Sequence, residues 1–462
     1  MLPFEMPTPF EFFTAKRKVF AHYFYTFPLS IDNRMPWEDY YNVQFLEPDG
    51  ESGKHQDQGG FLRQRPLAQA QQYPRDDTAM MCKEIEMAIA RGITGFTFDM
   101  LSIDDALSPT GHLQMLLTAA ARTDPRFKIV PMPDMASMGD ITAEQLEQII
   151  LSVKDSRQIY RLDDGRMLVS PYNATAREAS WWKEVIDALN SQGVAIAFMP
   201  TISGGGMPDE DMVAISYGYA NWGTVIPESS ANLDAANAHE LGLAYMLPIG
   251  SQQYRPKNPN YWEASCSLSF RNSWQAAIDT YADYVQIVTW SDFSESAQIQ
   301  PFTDKGLAGN IGTGFYDLNA FYAAWFATGR QPRVLRDALY WFHRKMFLSS
   351  PHPNQVDDTP CNGGTPEDSI ELVALLTSDA DVCINDSCVT ACAPFAAVKA
   401  PLAKGTPHFA LKRNGSNVFA FDSPIAVVGP DEPLDTGLTD LTYWCGSGQA
   451  PTVPPAVGGF DL

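Results

Sequence analysis

The sequence predicts an α/β chain: a (β/α)8 barrel over residues 1–350, followed by a C-terminal all-β sandwich over residues 351–462. Three observations carry this expectation. Several segments repeat one unit, an amphipathic helix closed by a glycine and followed by a short apolar strand that ends on a polar residue. Eight such apolar strands can be counted before residue 300, most of them separated by helical stretches, as in a parallel sheet covered by helices. The stretch SSPHPNQVDDTPCNGGTPED then marks a boundary by its Pro, Gly, Ser and Asp content, and short alternating runs follow it.

The eight candidate strands are Val19–Tyr23, Thr94–Phe98, Lys128–Met132, Met167–Ser170, Ala195–Met199, Ala214–Tyr217, Ala244–Leu247 and Val285–Thr289. The clearest unit is DTAMMCKEIEMAIARGITGFTFDM. Asp77 or Thr78 can cap its helix, Ile85, Ala88 and Ile89 form the apolar stripe, and Gly92 suits the left-handed position after the last turn. SWWKEVIDALNSQGVAIAFMP closes in the same way at Gly193, and LDAANAHELGLAYMLPI at Gly242. The fourth and sixth strands are weak, so an open α/β sheet stays as the alternative. The loop after the first strand, from about 24 to 76, is long and lacks a periodic helix; in a barrel it would lie on the catalytic face. LNAFYAAWFATG and VLRDALYWFHRKMF are expected to close the barrel. Beyond about residue 360, SIELVALLTS, DVCIND, FALKRNGSNVFAFDS and LTDLTYWC read as strands, with RNGSN as a hairpin turn.

Composition narrows the partners. The 462 residues carry a formal net charge of -23, which disfavours nucleic acid and anionic membrane surfaces, since both attract clustered Lys and Arg. Aromatics make up 12%, which suits the flat apolar faces a sugar cleft needs but also suits a large core. No apolar run approaches the roughly 20 residues of a membrane helix. The N-terminal stretch MLPFEMPTPFEFFTA, with Glu5 and Glu11, is not a signal peptide, so either a leader has been removed or the protein is not exported. Cys361, Cys383, Cys388, Cys392 and Cys445 crowd into the last quarter, apart from Cys82 and Cys266. One or two disulfides and an oxidising, extracellular compartment are expected, with reduced thiols as the alternative. A zinc site fits less well, because no CxxC or His pair completes the Cys388–Cys392 spacing.

Barrel active sites form at the C-terminal ends of the strands. The polar residues there are His22; Asp99 with Asp104 and Asp105 beyond it; Asp134; Ser170 and Tyr172; Thr201 and Ser203; Tyr217, Tyr219, Asn221 and Trp222; Gln252 and Tyr254; and Trp290, Asp292 and Glu295. No GxSxG, Walker loop or strand-borne GxGxxG is present, and the histidines lack metal-ligand spacing, so neither cofactor nor metal is expected. Acids facing aromatics suit glycoside hydrolysis, in which one protonated carboxyl reaches the leaving oxygen and a second carboxylate acts on water or on the anomeric carbon. Asp292 and Glu295, three residues apart, converge if the chain turns after the eighth strand. Each acid alone could equally serve as a helix cap or a structural acceptor.

The segment VQIVTWSDFSESAQI closely resembles the eighth-strand signature of glycoside hydrolase family 71, the α-1,3-glucanases or mutanases, which typically reads W-N-D-Y-G-E-S. KRKVFAHYF, GITGFTFDM, KIVPMPDMAS and AYMLPIGSQQY agree in order and spacing, over about residues 16–345. The resemblance implies a (β/α)8 barrel and hydrolysis of α-1,3-glucan with inversion. It maps the catalytic acids onto Asp292 and Glu295, with Glu295 taken as general acid and Asp292 as general base, the two being exchangeable. It places a supporting acid in the second-strand loop, with Asp104 preferred over Asp99. The expected substrate-binding residues are His22, Asp99, Asp134, Tyr172, Trp222, Gln252, Tyr254 and Trp290. The sequence departs from the family pattern at Ser291, Phe293 and Ser294, which stand for Asn, Tyr and Gly; in GSQQY, which stands for SPWFY; and in the expanded first loop. The expected partner is an α-glucan polysaccharide or oligosaccharide. A hydrolase of another α-linked glycan and a non-catalytic glycan-binding protein are the other readings.

Overall fold

The computed structural model describes residues 2–31, 37–69, 75–223, 228–258, 260–304, 311–351, 360–434 and 437–450. Seven parallel strand segments form one curled sheet. In sheet order they are Lys128–Pro133, Gly95–Met100, Lys18–Tyr23, Tyr284–Val288, Ala244–Gly250, Gly218–Trp222 and Thr201–Ser203. Met167–Val169 pairs in parallel with Ile196–Phe198, the first half of a fifth strand interrupted before Thr201. Main-chain bonds also reach across to the third strand, from Ser170 N to Pro131 O at 3.0 Å and from Tyr172 N to Pro133 O at 2.9 Å. This is a TIM-like domain.

Strand alternation explains its interior. Phe20, Val130, Leu168, Ala197, Met199, Ala220, Met246 and Tyr284 form a separate apolar cluster that fills the inside of the curled sheet. Gly95 makes room for it: a Cβ there would come within 3.0 Å of the Phe20 ring. Residues two further along each strand share the same face. Phe20 is therefore followed inside by His22, Val130 by Met132 and Asp134, Leu168 by Ser170 and Tyr172, and Ala220 by Trp222. A polar layer above this cluster is joined by Gln286 Nε2 donating to Thr97 Oγ1 at 2.6 Å.

The helix–glycine–strand reading holds at Asp77–Ile89, although Asp76 is the cap, accepting from Ala79 N. Gly92 sits at φ +79°, and a Cβ there would strike Phe12 at 2.7 Å, so both its conformation and its packing require glycine. The sixth strand is corrected. Ala214–Tyr217 is not a strand, because Glu210–Ile215 is a helix capped by Asp209 and the strand is Gly218–Trp222. In the first loop, an aromatic cluster of Phe27, Phe45 and Phe61 reaches Phe293, with ring centroids 6.2 Å apart for Phe27 and Phe293. The strand Arg65–Pro66 from this loop pairs with Phe302–Thr303.

Two four-stranded antiparallel sheets follow. The first contains Phe395–Pro401, Ser369–Leu375, Ala338–His343 and Trp444–Gln449, and the second contains Ser387–Ala391, Ala380–Ile384, His408–Arg413 and Ser416–Asp422. Trp341 stacks on Phe409 across them at 6.2 Å. Ala338–His343, expected among the barrel-closing segments, is a central strand of the first sheet: it is buried on both faces and hydrogen-bonded on both edges. The RNGSN hairpin forms, with Asn414 and Gly415 both at positive φ. Cys383 and Cys388 form a disulfide across the adjoining hairpin, and Cys82, Cys266, Cys361, Cys392 and Cys445 are free thiols. No described helix is long and apolar enough to cross a membrane.

Candidate active site

The acid-bearing turn follows the eighth strand. Asp292 N donates to Thr289 Oγ1 at 2.8 Å, which bends the chain as the strand ends. Ser294 N, Ser294 Oγ and Glu295 N then converge on Asp292 Oδ1 at 3.0, 2.6 and 3.2 Å. The serine that departs from the family pattern thus serves the turn as a donor, and the positive φ falls on Ser296 instead. Ser291 Oγ donates to Phe24 O at 2.8 Å and accepts from Phe24 N, clipping the turn to the chain leaving the first strand. Phe293 is fully buried under the first-loop aromatics.

Around this turn the structure gathers His22, Asp99, Asp134, Tyr172, Trp222, Asp292 and Glu295. His22 Nε2 lies 3.5 Å from Asp99 Oδ2. The Trp222 ring meets His22 edge-on at 4.6 Å and Tyr172 at 4.8 Å, forming an aromatic wall. Asp134 accepts from Ala136 N, Ser137 N and Ser137 Oγ, so much of its capacity is spent on its own turn. His22 Nδ1 and Asp99 Oδ1 are buried without a protein partner, and both are suited to a ligand hydroxyl.

The electrostatics follow from burial. Desolvation raises the Asp99 carboxyl against the pull of His22. Desolvation also raises Asp292, with the Ser294 hydroxyl opposing it. Glu295 is pushed up to about 7, first by desolvation and then by the neighbouring Asp292 charge, while Arg255 opposes both. At mildly acidic pH this turn therefore offers a protonated Glu295 carboxyl beside a second carboxyl, that of Asp292.

Four expected residues are placed elsewhere. Asp104 is exposed at the start of a short helix; the buried acid of that loop is Asp105, which accepts from Leu101 N, Ser102 N and the Tyr25 hydroxyl and bonds His112. Asp99 is the acid of this strand that enters the site. Trp290 lies on the outer side of the curled sheet, fully buried against Phe96 and Tyr316, because regular alternation ends at Val288. Gln252 exchanges hydrogen bonds with the Tyr443 backbone, and the Tyr254 hydroxyl donates to Thr439 O at 3.1 Å, so both face the chain that leads into Trp444–Gln449. Their neighbours of opposite parity face the site. Gln253 Nε2 donates to Glu295 Oε2 at 2.6 Å, and Arg255 Nη2 lies 2.7 Å from Glu295 Oε1. The sequence signal for these two was the alternation after the seventh strand, read one residue out of phase. Among the described residues, no group of three or more His, Cys, Asp or Glu side chains is placed to hold a metal ion.

Comparison with known proteins places the chain in a family. The sequence profile described as glycosyl hydrolase family 71 matches residues 67–452. The chain is 24% identical over 324 residues to a glucan endo-1,3-alpha-glucosidase of Schizosaccharomyces pombe, covering 66% of this chain and 75% of that protein. It is 25% identical over 234 residues to the ascus wall endo-1,3-alpha-glucanase of the same yeast, covering 47% of this chain and 53% of that protein. Among solved structures, the GH99 endo-alpha-mannosidase from Bacteroides thetaiotaomicron aligns with TM-score 0.53 at 14% identity, over 68% of this chain and 98% of that one, a likeness of fold.

Proposed function

The chain belongs to glycosyl hydrolase family 71, and from that premise we propose that it hydrolyses α-1,3-glucan with inversion, using Glu295 as general acid and Asp292 as general base. One observation carries the assignment: the buried Asp292 and the part-buried Glu295 share one turn, and Glu295 is raised to about 7 beside the Asp292 charge. Protonated Glu295 passes its proton to the glycosidic oxygen as the bond from that oxygen to the anomeric carbon breaks. Asp292 takes a proton from the water that attacks the same carbon from the opposite face. Its three donors all meet Oδ1, which leaves Oδ2 for that water. Inversion asks for a working separation of about 6.5–9.5 Å between the two carboxyls. Asp99, in place of Asp104, is the supporting acid: with His22 it holds sugar hydroxyls, against the wall of Trp222 and Tyr172.

The choice of α-1,3-glucan rests on the activities for which both yeast relatives are named. The scaffold is read as a closed (β/α)8 barrel, since main-chain bonds join the fourth strand to the third and to the fifth. The two later sheets are read as a sandwich domain that begins at Ala338 rather than at residue 351. Secretion is supported by the Cys383–Cys388 disulfide, which suits an oxidising compartment.

The test is incubation with insoluble α-1,3-glucan and measurement of new reducing ends, alongside Asp292→Asn and Glu295→Gln. No release by the wild type sinks the substrate reading; equal release by the variants sinks the residue assignment. Proton NMR of the first product anomer decides inversion.

A further inference from the structure

We propose that Arg255, aided by Gln253, is a positioning residue that holds Glu295 for proton delivery and sets the upper pH limit of the reaction. The inference rests on the reading of Glu295 as the general acid.

The geometry comes from a short antiparallel hairpin, Gln253–Arg255 paired with Asn260–Trp262. Residues two apart on a strand share a face. Gln253 and Arg255 therefore turn together toward Glu295, each taking one carboxylate oxygen, while Tyr254 between them points away. Tyr254 N also donates to Glu295 O at 2.9 Å, so the hairpin holds the backbone of the acid as well as its side chain. The guanidinium is steadied by the Trp262 ring, 5.0 Å from its centroid. Gln253 lies in GSQQY, one of the stretches where this sequence departs from the family pattern.

A purely structural ion pair looks different in this molecule. Arg344 and Glu263 have side chains only 2% and 1% exposed, whereas those of Arg255 and Glu295 are 33% and 23% exposed. The Arg255 clamp is thus open to the surroundings in which Glu295 must change its protonation. Its two members answer that change differently. A glutamine amide both donates and accepts, so Gln253 can hold either form of the acid. A guanidinium only donates and favours the carboxylate. Once Glu295 has given its proton to the leaving oxygen, the carboxylate left behind is the form that Arg255 stabilises, and solvent reprotonates it for the next turnover. The other charged or titratable groups acting on Glu295 are Asp292 on its own turn, His22 from the first strand and Tyr172 after the fourth. Asp292 opposes ionisation of Glu295, while Arg255 and His22 favour it.

The test compares wild type, Arg255→Met and Arg255→Lys by kcat and KM against pH on soluble α-1,3-linked glucose oligosaccharides. Each protein is also carboxyl-labelled with 13C-glutamate and titrated by NMR, the Glu295 resonance being identified by its loss in Glu295→Gln. Loss of the adjacent positive charge should move both the basic limb and the NMR midpoint upward by about one pH unit or more in Arg255→Met, and lower kcat more than it raises KM. Arg255→Lys should keep the limb within about half a unit, because it retains the charge. A merely structural arginine would lower activity without moving either midpoint, and that result overturns the proposal. If the wild type releases no sugar, the substrate reading fails instead, and the NMR midpoints still decide the clamp.

Discussion

Replacing Glu295, the proposed general acid, should make this protein more stable as well as inactive, and more stable only above mildly acidic pH. Glu295 has a folded-state value near 7 against an ordinary 4.5. Its folded value is raised, so its contribution to stability is fully present below the unfolded value and is lost as pH rises through the folded one. At about 1.4 kcal/mol per pH unit, the loss reaches about 3 kcal/mol by pH 8 and is within a few tenths of zero at pH 4. Glu295→Gln removes this titration but keeps an oxygen for Arg255 and an amide that can pair with Gln253. For a chain of this length, with an unfolding entropy of roughly 2 cal/mol/K per residue, 3 kcal/mol corresponds to about 3 °C in Tm. Calorimetry at pH 4 and pH 8 should therefore give matching Tm values for variant and wild type at the lower pH, and a variant about 3 °C higher at the upper one. Hydrolysis should fall by about 10²–10⁴-fold, the range for a lost general acid. A Tm difference that is flat with pH, or a less stable variant at pH 8, would refute the claim that Glu295 is held ionised against its surroundings.

Three further outcomes follow from named contacts. Asp99→Asn should cost roughly 10²-fold in kcat/KM through the lost hold on substrate, whereas exposed Asp104→Asn should stay within about twofold; one hydrolysis assay run on both separates the two positions. Ser294→Gly removes a hydroxyl that favours ionised Asp292, so the acidic limb of the pH–rate profile should move to higher pH, with about 1 kcal/mol lost in denaturant unfolding. Arg344→Met leaves Glu263 buried without its cation and should destabilise by about 3–5 kcal/mol in the same unfolding experiment.

Much of the TIM-like sheet was legible because each repeated unit punctuates itself. Gly92, Gly193 and Gly242 all take positive φ where a helix gives way to a strand. The sixth strand was not legible, since Gly218–Trp222 contains glycine and asparagine while the helix before it is the more apolar of the two. Ala338–His343 was misread for a related reason: a strand buried on both faces loses its alternation and resembles a piece of buried helix. In the site, Asp292 and Glu295 could be found from their place after a strand. The faces taken by Gln252, Gln253, Tyr254 and Arg255 depend on where regular alternation stops, and a slip of one residue exchanges inside for outside. The same limit misplaced Trp290. Choosing Asp104 over Asp99 was a question of loop length, which only the path of the chain decides.

The hairpin beside Glu295 has a second face. Tyr254 reaches Thr439, Gln252 is locked to Tyr443, and Glu263, just past the hairpin, bonds both Arg344 and the Tyr443 hydroxyl. The C-terminal sheets are thus not a detachable cassette. A truncation ahead of Ala338 would strip the backing from the strip of chain that carries Arg255, and a graft of another C-terminal module would have to bring its own equivalents of Thr439 and Tyr443. Engineers seeking a smaller enzyme should expect the two parts to be inherited, and to melt, together.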